Sequence, residues 1–258
     1  MLVTLTYEYR CEDFEETERL LNIVVNLSTP RTDPQETEIR NRAVNSMTRD
    51  EVDAVNIEGV HIRATLLPIM TVGVQGDCRS YSYVVALSTN ARPIPWKMLY
   101  TYAGVIPKLF HKINRVAYVF GEQVEYPVHG VTVTHLVQPI IEKLQRADKA
   151  ATDILFGRVK GQHGQKLPDV GRKVQQMPVV MIPVDFDRDE TMPNSFKHSF
   201  VLRPFITSDF MTGIAAVPGV HIPEQTIFEM EAAIRQCVNT SRVLLDMTSK
   251  PPGTTEWE

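Results

Sequence analysis

One order of elements occurs twice along this chain, and that recurrence limits what it can fold into more than any single motif does. Ile69 to Val74 reads as a strand, Gly76-Asp77 as a turn and Tyr81 to Leu87 as a second strand. After the turn-rich stretch Asn90 to Pro95, apolar residues fall at Trp96, Leu99, Ala103, Ile106, Phe110 and Ile113. Those steps of three and four predict an amphipathic helix, kinked by Pro107. Val116 to Phe120 is a third strand, so the unit is β-β-α-β. It recurs downstream. Val179 to Val184 and His198 to Ile206 are strands separated by the acidic, turn-rich Asp185 to Asn194. Ile227, Met230, Ile234 and Cys237 mark a helix after Pro223, and Arg242 to Met247 a closing strand. Ile94-Pro95 corresponds to Ile222-Pro223, and Asn114-Arg115-Val116 to Ser241-Arg242-Val243. The repeat is weak by identity and good by order. Two units that each bury one sheet face predict a duplication.

The fold class is therefore α/β (α+β by segregation): two tandem β-β-α-β subdomains, each a small sheet covered by a helix, behind an N-terminal helical lead-in. The expected boundaries are 1–65 for the lead-in, 66–126 and 176–258 for the two units, and 127–175 between them. In the lead-in, residues 2–9 alternate as a short strand, and Asp13 is positioned to cap a helix carrying Phe14, Leu21, Val24 and Leu27 on one stripe. Residues 34–56 are polar and predict one or two surface helices, the second capped by Thr48 or Asp50. In the connecting stretch, Thr134 is positioned to cap a long helix with Leu136, Ile140, Leu144, Ala147, Ala151 and Ile154 on one face. Gly157 to Lys173, rich in glycine, Lys and Arg, is expected to be a mobile loop.

Composition excludes several function classes. A net charge of -4 gives no global argument for nucleic acid or an anionic membrane surface. No apolar run is long enough to span a bilayer, and the N-terminus lacks a signal-peptide core. Three widely spaced cysteines, Cys11, Cys78 and Cys237, fit reduced thiols, so the expected location is the cytosol. Several motifs are decoys. Gly76-Asp77-Cys78-Arg79-Ser80 resembles an amidotransferase elbow, but that elbow must run from strand into helix, and Tyr81 to Leu87 reads as strand. Cys78 is expected to be structural. Gly161-Gln162-His163-Gly164 matches a KH-type loop with no second helix to follow it. His129 and His135 lack Cys or carboxylate partners at metal spacing, and no Walker-type loop occurs.

The last ten residues, Ser249 to Glu258, are built unlike a frayed tail. Pro251 and Pro252 fix two φ angles and bias Lys250 towards extended backbone, Gly253 allows a change of direction, and Trp257 is a large apolar anchor. Such a tail either closes over a charged ligand or docks for stability alone.

Lys250-Pro251-Pro252-Gly253-Thr254-Thr255-Glu256-Trp257-Glu258 closely resembles the C-terminus of GMP synthase, the glutamine-dependent enzyme that aminates XMP. Thr71 to Tyr83 (Thr-Val-Gly-Val-Gln-Gly-Asp-Cys-Arg-Ser-Tyr-Ser-Tyr) and Phe205 to Gly213 (Phe-Ile-Thr-Ser-Asp-Phe-Met-Thr-Gly) resemble the same family, in the same order. The resemblance runs from about Asp13 to Glu258. It implies the reaction XMP + ATP + glutamine to GMP + AMP + pyrophosphate + glutamate, shared among an amidotransferase domain, an ATP pyrophosphatase domain with a Ser-Gly-Gly-x-Asp-Ser loop, and a C-terminal part that completes the XMP site and mediates dimerisation. The chain resembles that last part, in a longer, eukaryote-like form with two copies of the unit. It holds neither the nucleophilic elbow nor the Ser-Gly-Gly-x-Asp-Ser loop. The expectation is a fragment, a truncated product or a subunit needing a partner, without independent synthetase or glutaminase activity.

The resemblance implies XMP contacts at Asp77, Gln176, Lys250 and Glu256, with no catalytic residue, metal or cofactor on this chain and with ATP and Mg bound by the whole enzyme. Lys250 suits the 5′-phosphate, Gln176 a base or ribose, and Glu256 and Asp77 ribose hydroxyls or ring N–H groups. Asp77 equally suits an Asx turn in a hairpin, Arg79 suits either the phosphate or Asp77, and Asp209 suits a turn or cap. The expected partners are XMP, the two upstream domains and a homodimer, with no nucleic acid and no membrane. Internal pairing of residues 66–126 with 176–258 about a pseudo-twofold axis would weaken any such dimer. The competing expectation is a catalytically inactive, stand-alone interaction module that retains the fold.

Overall fold

The computed structural model describes residues 10–30, 32–76, 78–128, 130–188 and 196–257. The strand expected over residues 2–9, Asp77 and His129 lie outside the described residues. The lead-in forms three helices, α1 (Phe14–Val24), α2 (Pro34–Asn45) and α3 (Arg49–Val55). Asp33 caps α2, and Thr48 caps α3 in a reciprocal box with Glu51, settling the choice between Thr48 and Asp50. The first unit follows as β1 (Arg63–Gln75), β2 (Cys78–Ser88), α4 (Trp96–Leu109) and β3 (Ile113–Val119). A long helix α5 (Gln138–Leu155) leads to the second unit, β4 (Val179–Ile182), β5 (His198–Leu202), the short pair β6 (Phe205–Ile206) and β7 (Ile214–Ala215), α6 (Glu224–Cys237) and β8 (Thr240–Asp246).

The two units do not keep separate sheets. Their strands join in one six-stranded sheet of order β1-β2-β3-β8-β5-β4. Within each unit the first two strands are antiparallel, and the second runs parallel to the third across its helix. The units meet where β3 pairs antiparallel with β8, through Ala117–Asp246, Tyr118–Leu245 and Val119–Leu244. That pairing is symmetric about Tyr118 and Leu245. Phe120 N–H donates to Val243 C=O, and Met247 N–H donates to Val116 C=O, both at 3.0 Å, as one bond seen twice. Each parallel pair also slips register at its start, at Tyr83/Val84 and at His198/Phe200. The duplication is thus a pseudo-twofold lying on the β3–β8 seam.

Alternation along the strands divides the core into two layers. Tyr83, Val85, Leu87, Val116, Tyr118, Phe200, Leu202, Val243 and Leu245 belong to the layer that packs on the helices. Val84, Ala86, Ala117, Val119, Val180, Ile182, Val201 and Leu244 form the other, closed by Val124, Val128, Phe186 and Trp257. Strands apolar on both faces are what parallel pairs buried on both sides require. At the outer edge, β1 would expose a row of unpaired backbone groups. Asn26 and Asn22 side chains each bond both ways to its start, at Ile62 and Ala64. The C-terminal tail takes the rest.

Several expected boundaries move for identifiable reasons. The strand expected over His198 to Ile206 divides at Arg203-Pro204, because Pro204 has no N–H to give the ladder and Arg203 turns inward to Asp246. The helix expected to reach Ile113 stops at Leu109, shortly after Pro107. Thr134 does not cap α5. Pro139 sits in the first turn of a helix beginning at Gln138, while the buried Thr134 hydroxyl donates to Thr132 C=O and meets His198 Nε2 at 2.9 Å. Gly157 to Lys173 is seated on the body rather than standing free. Leu167 and Val170 are buried, and Glu229 accepts hydrogen bonds from Gln162 N and Gln165 Nε2. Cys78 lies in β2, which removes the elbow geometry, but it is exposed rather than packed.

Candidate functional site: a C-terminal strap over a buried cationic cluster

From Met247 the chain leaves β8 and crosses the neighbouring strands to the free edge of β1. Val74 N–H donates to Pro252 C=O at 2.8 Å and Val72 N–H to Trp257 C=O at 2.9 Å, so the strap closes the edge. Gly73 lies between them and must be glycine here. An added Cβ would stand 2.7 Å from Asn114 Nδ2 and 3.0 Å from Pro252 O. The Lys250-Pro251 and Pro251-Pro252 bonds are cis. Trp257 is fully buried in the second core layer.

Two arginines hold the strap from beneath. Arg115 on β3 and Arg203 after β5 are both 0% exposed and share the Asp246 carboxylate, at 3.5 and 2.7 Å. Their remaining donors go to the strap. Arg115 donates to Glu256 C=O at 2.6 Å, to the Thr254 hydroxyl at 2.9 Å and to Val72 C=O at 2.8 Å. Arg203 donates to Thr254 C=O at 2.6 Å and to Thr255 C=O. Both guanidiniums also stack on Trp257, at 5.1 and 5.8 Å from its ring. Burial alone would raise the Asp246 carboxyl, but Arg203 and Arg115 outweigh it and hold Asp246 below the ordinary carboxylate range. Burial lowers both guanidiniums, and for Arg115 the neighbouring Arg203 lowers it further.

Lys250 lies over this cluster, 4% exposed. Its ammonium donates to Gln176 Oε1 at 2.5 Å and to the Thr255 hydroxyl at 2.8 Å, and stands 4.5 Å from the Phe205 ring centroid. Among the described residues no carboxylate pairs with it directly. Burial, then repulsion from Arg203, lower its pKa. Three cations and the Asp246 carboxylate therefore meet in one place, with the exposed Glu256 carboxylate acting on all three cations, while the Lys250 ammonium itself touches neutral oxygens and a ring.

Beside Lys250 runs a groove of about 540 Å³ lined by Thr207, Ser208, Thr212, Gly213 and Ser249 among others. Thr212 is held by a turn built on Asp209, whose carboxylate accepts from Met211 N and Thr212 N at 2.9 and 2.8 Å and from the Thr212 hydroxyl at 2.9 Å. Asp209 is thus a turn residue. Phe210 takes a positive φ of 59° inside that turn. Lys250 and Gly213 bond backbone to backbone both ways, at 2.8 and 3.2 Å, which ties the loop to the strap.

Of the four residues implied as XMP contacts, the structure brings Gln176 and Lys250 into direct contact. Glu256 follows on the strap with its carboxylate exposed and its carbonyl held by Arg115. Arg79 is exposed on β2. Sequence reading missed Arg115, Arg203, Asp246 and Thr255. A signal was present: Arg115 lies inside Ile113 to Val119, and Arg203 and Asp246 end apolar strand runs, where an ion is found only with a partner. Among the described residues no group of three or more His, Cys, Asp or Glu could hold a metal ion, and no helix is long and apolar enough to cross a membrane. Asp209 is used up by its own turn, so the groove offers hydroxyls, amides and one ammonium, a set suited to an anion rather than to Mg.

The family described as GMP synthase C terminal domain matches residues 166–257, which is the second unit with its strap. The chain is 57% identical over 244 residues to a probable glutamine-hydrolysing GMP synthase of Caenorhabditis elegans, covering 94% of this chain and 33% of that protein. It is 35% identical over 251 residues to the glutamine-hydrolysing GMP synthase of Dictyostelium discoideum, covering 92% and 32%. An 86-residue stretch is 31% identical to a subunit of the glutamine-hydrolysing GMP synthase of Thermococcus kodakarensis, covering 30% of this chain and 28% of that one. The chain spans about a third of the length of the curated relatives it matches. By the matched family and these relatives, the chain carries a GMP synthase C-terminal domain.

Proposed function

We propose that this chain supplies one wall of the XMP site of a glutamine-hydrolysing GMP synthase, working in purine nucleotide synthesis in the cytosol. The observation that carries this reading is the contact of Lys250 with Gln176 at 2.5 Å, from residues 74 positions apart, where Lys250 also lines a groove of hydroxyls and backbone groups. An unpaired ammonium held over a cationic cluster attracts a phosphate monoester, and Gln176 can offer an acceptor and two donors to a base or ribose. Glu256, exposed on the strap, accepts from ribose hydroxyls or ring N–H groups, and Asp77 is kept as a second acceptor. The chemistry that makes ammonia and activates the nucleotide with ATP and Mg belongs to amidotransferase and ATP pyrophosphatase domains acting with this chain. What this chain contributes is binding and orientation.

The test is kinetic. In a GMP synthase carrying this sequence, Lys250→Ala removes a charge-assisted hydrogen bond worth about 1.5–3 kcal/mol. The KM for XMP should rise roughly 10- to 150-fold while that for glutamine stays put. An unchanged XMP dependence would take Lys250 out of the site.

A further inference from the structure

The ammonium of Lys250 is aimed by something other than Gln176. Its second acceptor is the Thr255 hydroxyl, and Thr255 is five residues further along the same strap. A strap hydroxyl can hold a lysine in one rotamer only if its own backbone is fixed. Arg203 does that, through the carbonyls of Thr254 and Thr255, and Asp246 fixes Arg203 at 2.7 Å. The order of contacts is Asp246, Arg203, the Thr255 backbone, the Thr255 hydroxyl, the Lys250 ammonium.

Stability alone is a poor reason for this arrangement. Buried ion clusters are commonly no better for stability than well-packed apolar side chains of the same volume. A cluster with two guanidiniums for one carboxylate is less favourable still. What apolar side chains could not do is fix the direction of successive carbonyls, and with them the hydroxyl between Lys250 and the strap.

We propose that Thr255 is a positioning residue for the anionic nucleotide, its hydroxyl aimed by Arg203 so that the Lys250 ammonium is held beside the groove of Thr207, Ser208 and Thr212. This rests on the reading of Lys250 given above. Thr255 acts through Lys250 and touches no reacting atom. Because it accepts from the charged amine, it favours the protonated form. Losing it makes Lys250 easier to deprotonate, so binding of the anion fails at a lower pH than in the parent protein.

The test compares Thr255→Val, Thr255→Ser and Lys250→Ala in a GMP synthase carrying this sequence, with melting temperature measured for each. The expected result is a KM for XMP raised about threefold to tenfold by Thr255→Val, the scale of one hydrogen bond. Its kcat and melting temperature should hardly move, and the alkaline limb of the XMP pH profile should shift to lower pH. Thr255→Ser, which keeps the hydroxyl, should restore KM and limb. If Lys250→Ala raises KM but Thr255→Val leaves KM and limb alone, the role of Thr255 is overturned and the reading of Lys250 stands. If Thr255→Val lowers the melting temperature and depresses kcat without the limb shift, Thr255 is a structural residue and the proposal fails. If Lys250→Ala itself changes nothing, the reading beneath the proposal fails first.

Discussion

The two halves of the sheet perform one manoeuvre with different chemistry. After its last strand, each unit sends the chain back beneath an arginine of the opposite unit. Arg242 on β8 donates to Phe120 C=O and Glu122 C=O, both at 3.3 Å, just after β3 ends. Arg115 on β3, its counterpart across the seam, donates to the strap that follows β8. The partners differ. Arg242 pairs with Asp187 at 2.6 Å near the surface, with the Asp187 side chain 44% exposed. Arg115 shares Asp246 with Arg203 in complete burial. By the symmetry of the β3–β8 pairing, Val119 occupies the place of Asp246 and Gln123 that of Lys250. The concavity at Arg242 is shared between the first half's Glu122 and Glu125 and the second half's Asp185, Asp187, Arg188 and Arg242, and is acidic on balance. The second half concentrates cations. A duplicated scaffold has kept its backbone route and changed its charge, and the cationic half is the one matched by the family's C-terminal domain.

The comparison breaks first at the carboxylates. Asp246→Asn leaves two buried guanidiniums without a counter-ion and should cost about 3–5 kcal/mol in chemical denaturation. Its pH signature has a definite sign. The folded pKa of Asp246 lies below its unfolded value, so its contribution is complete above about pH 4 and is lost as pH falls through the folded value. Asp246→Asn should flatten stability in that acid window. An intermediate effect is expected at the seam, where the Thr248 hydroxyl accepts from Val116 N–H at 2.8 Å in a buried setting. Thr248→Val strands that donor and should cost about 1–3 kcal/mol. Smallest is Asp187→Asn, which loses a partly exposed pair worth less than about 1 kcal/mol. Equal losses at Asp187 and Asp246 would mean that burial does not separate the two halves.

Most of the fold was legible because it rests on periodicity. The two β-β-α-β runs, the helix after Pro223 and the cap of α3 at Thr48, one of the two residues offered for it, follow from local rules that tertiary contacts did not override. The merging of the halves was less so. It depends on three residue pairs between β3 and β8, and nothing in either strand alone names its partner. The site divided in the same way. Lys250 and Gln176 entered through the family resemblance and are in contact in the structure. Arg115 and Arg203 act through backbone carbonyls of the strap, which a sequence does not display. Thr134 shows the opposite failure, since a good capping residue was drawn instead to Thr132 and His198.

The central claim is that the cationic half, and not its pseudo-equivalent, receives the nucleotide. The most direct measurement is the backbone amide spectrum of this chain titrated with XMP to millimolar concentration. Shifts should be confined to residues 76–79, 174–176, 205–214 and 249–257, with residues 120–127 and 185–188 silent, and should be lost in Lys250→Ala. Shifts centred on the acidic concavity around Glu122, Glu125, Asp185 and Asp187, or no shifts at millimolar XMP, would contradict it.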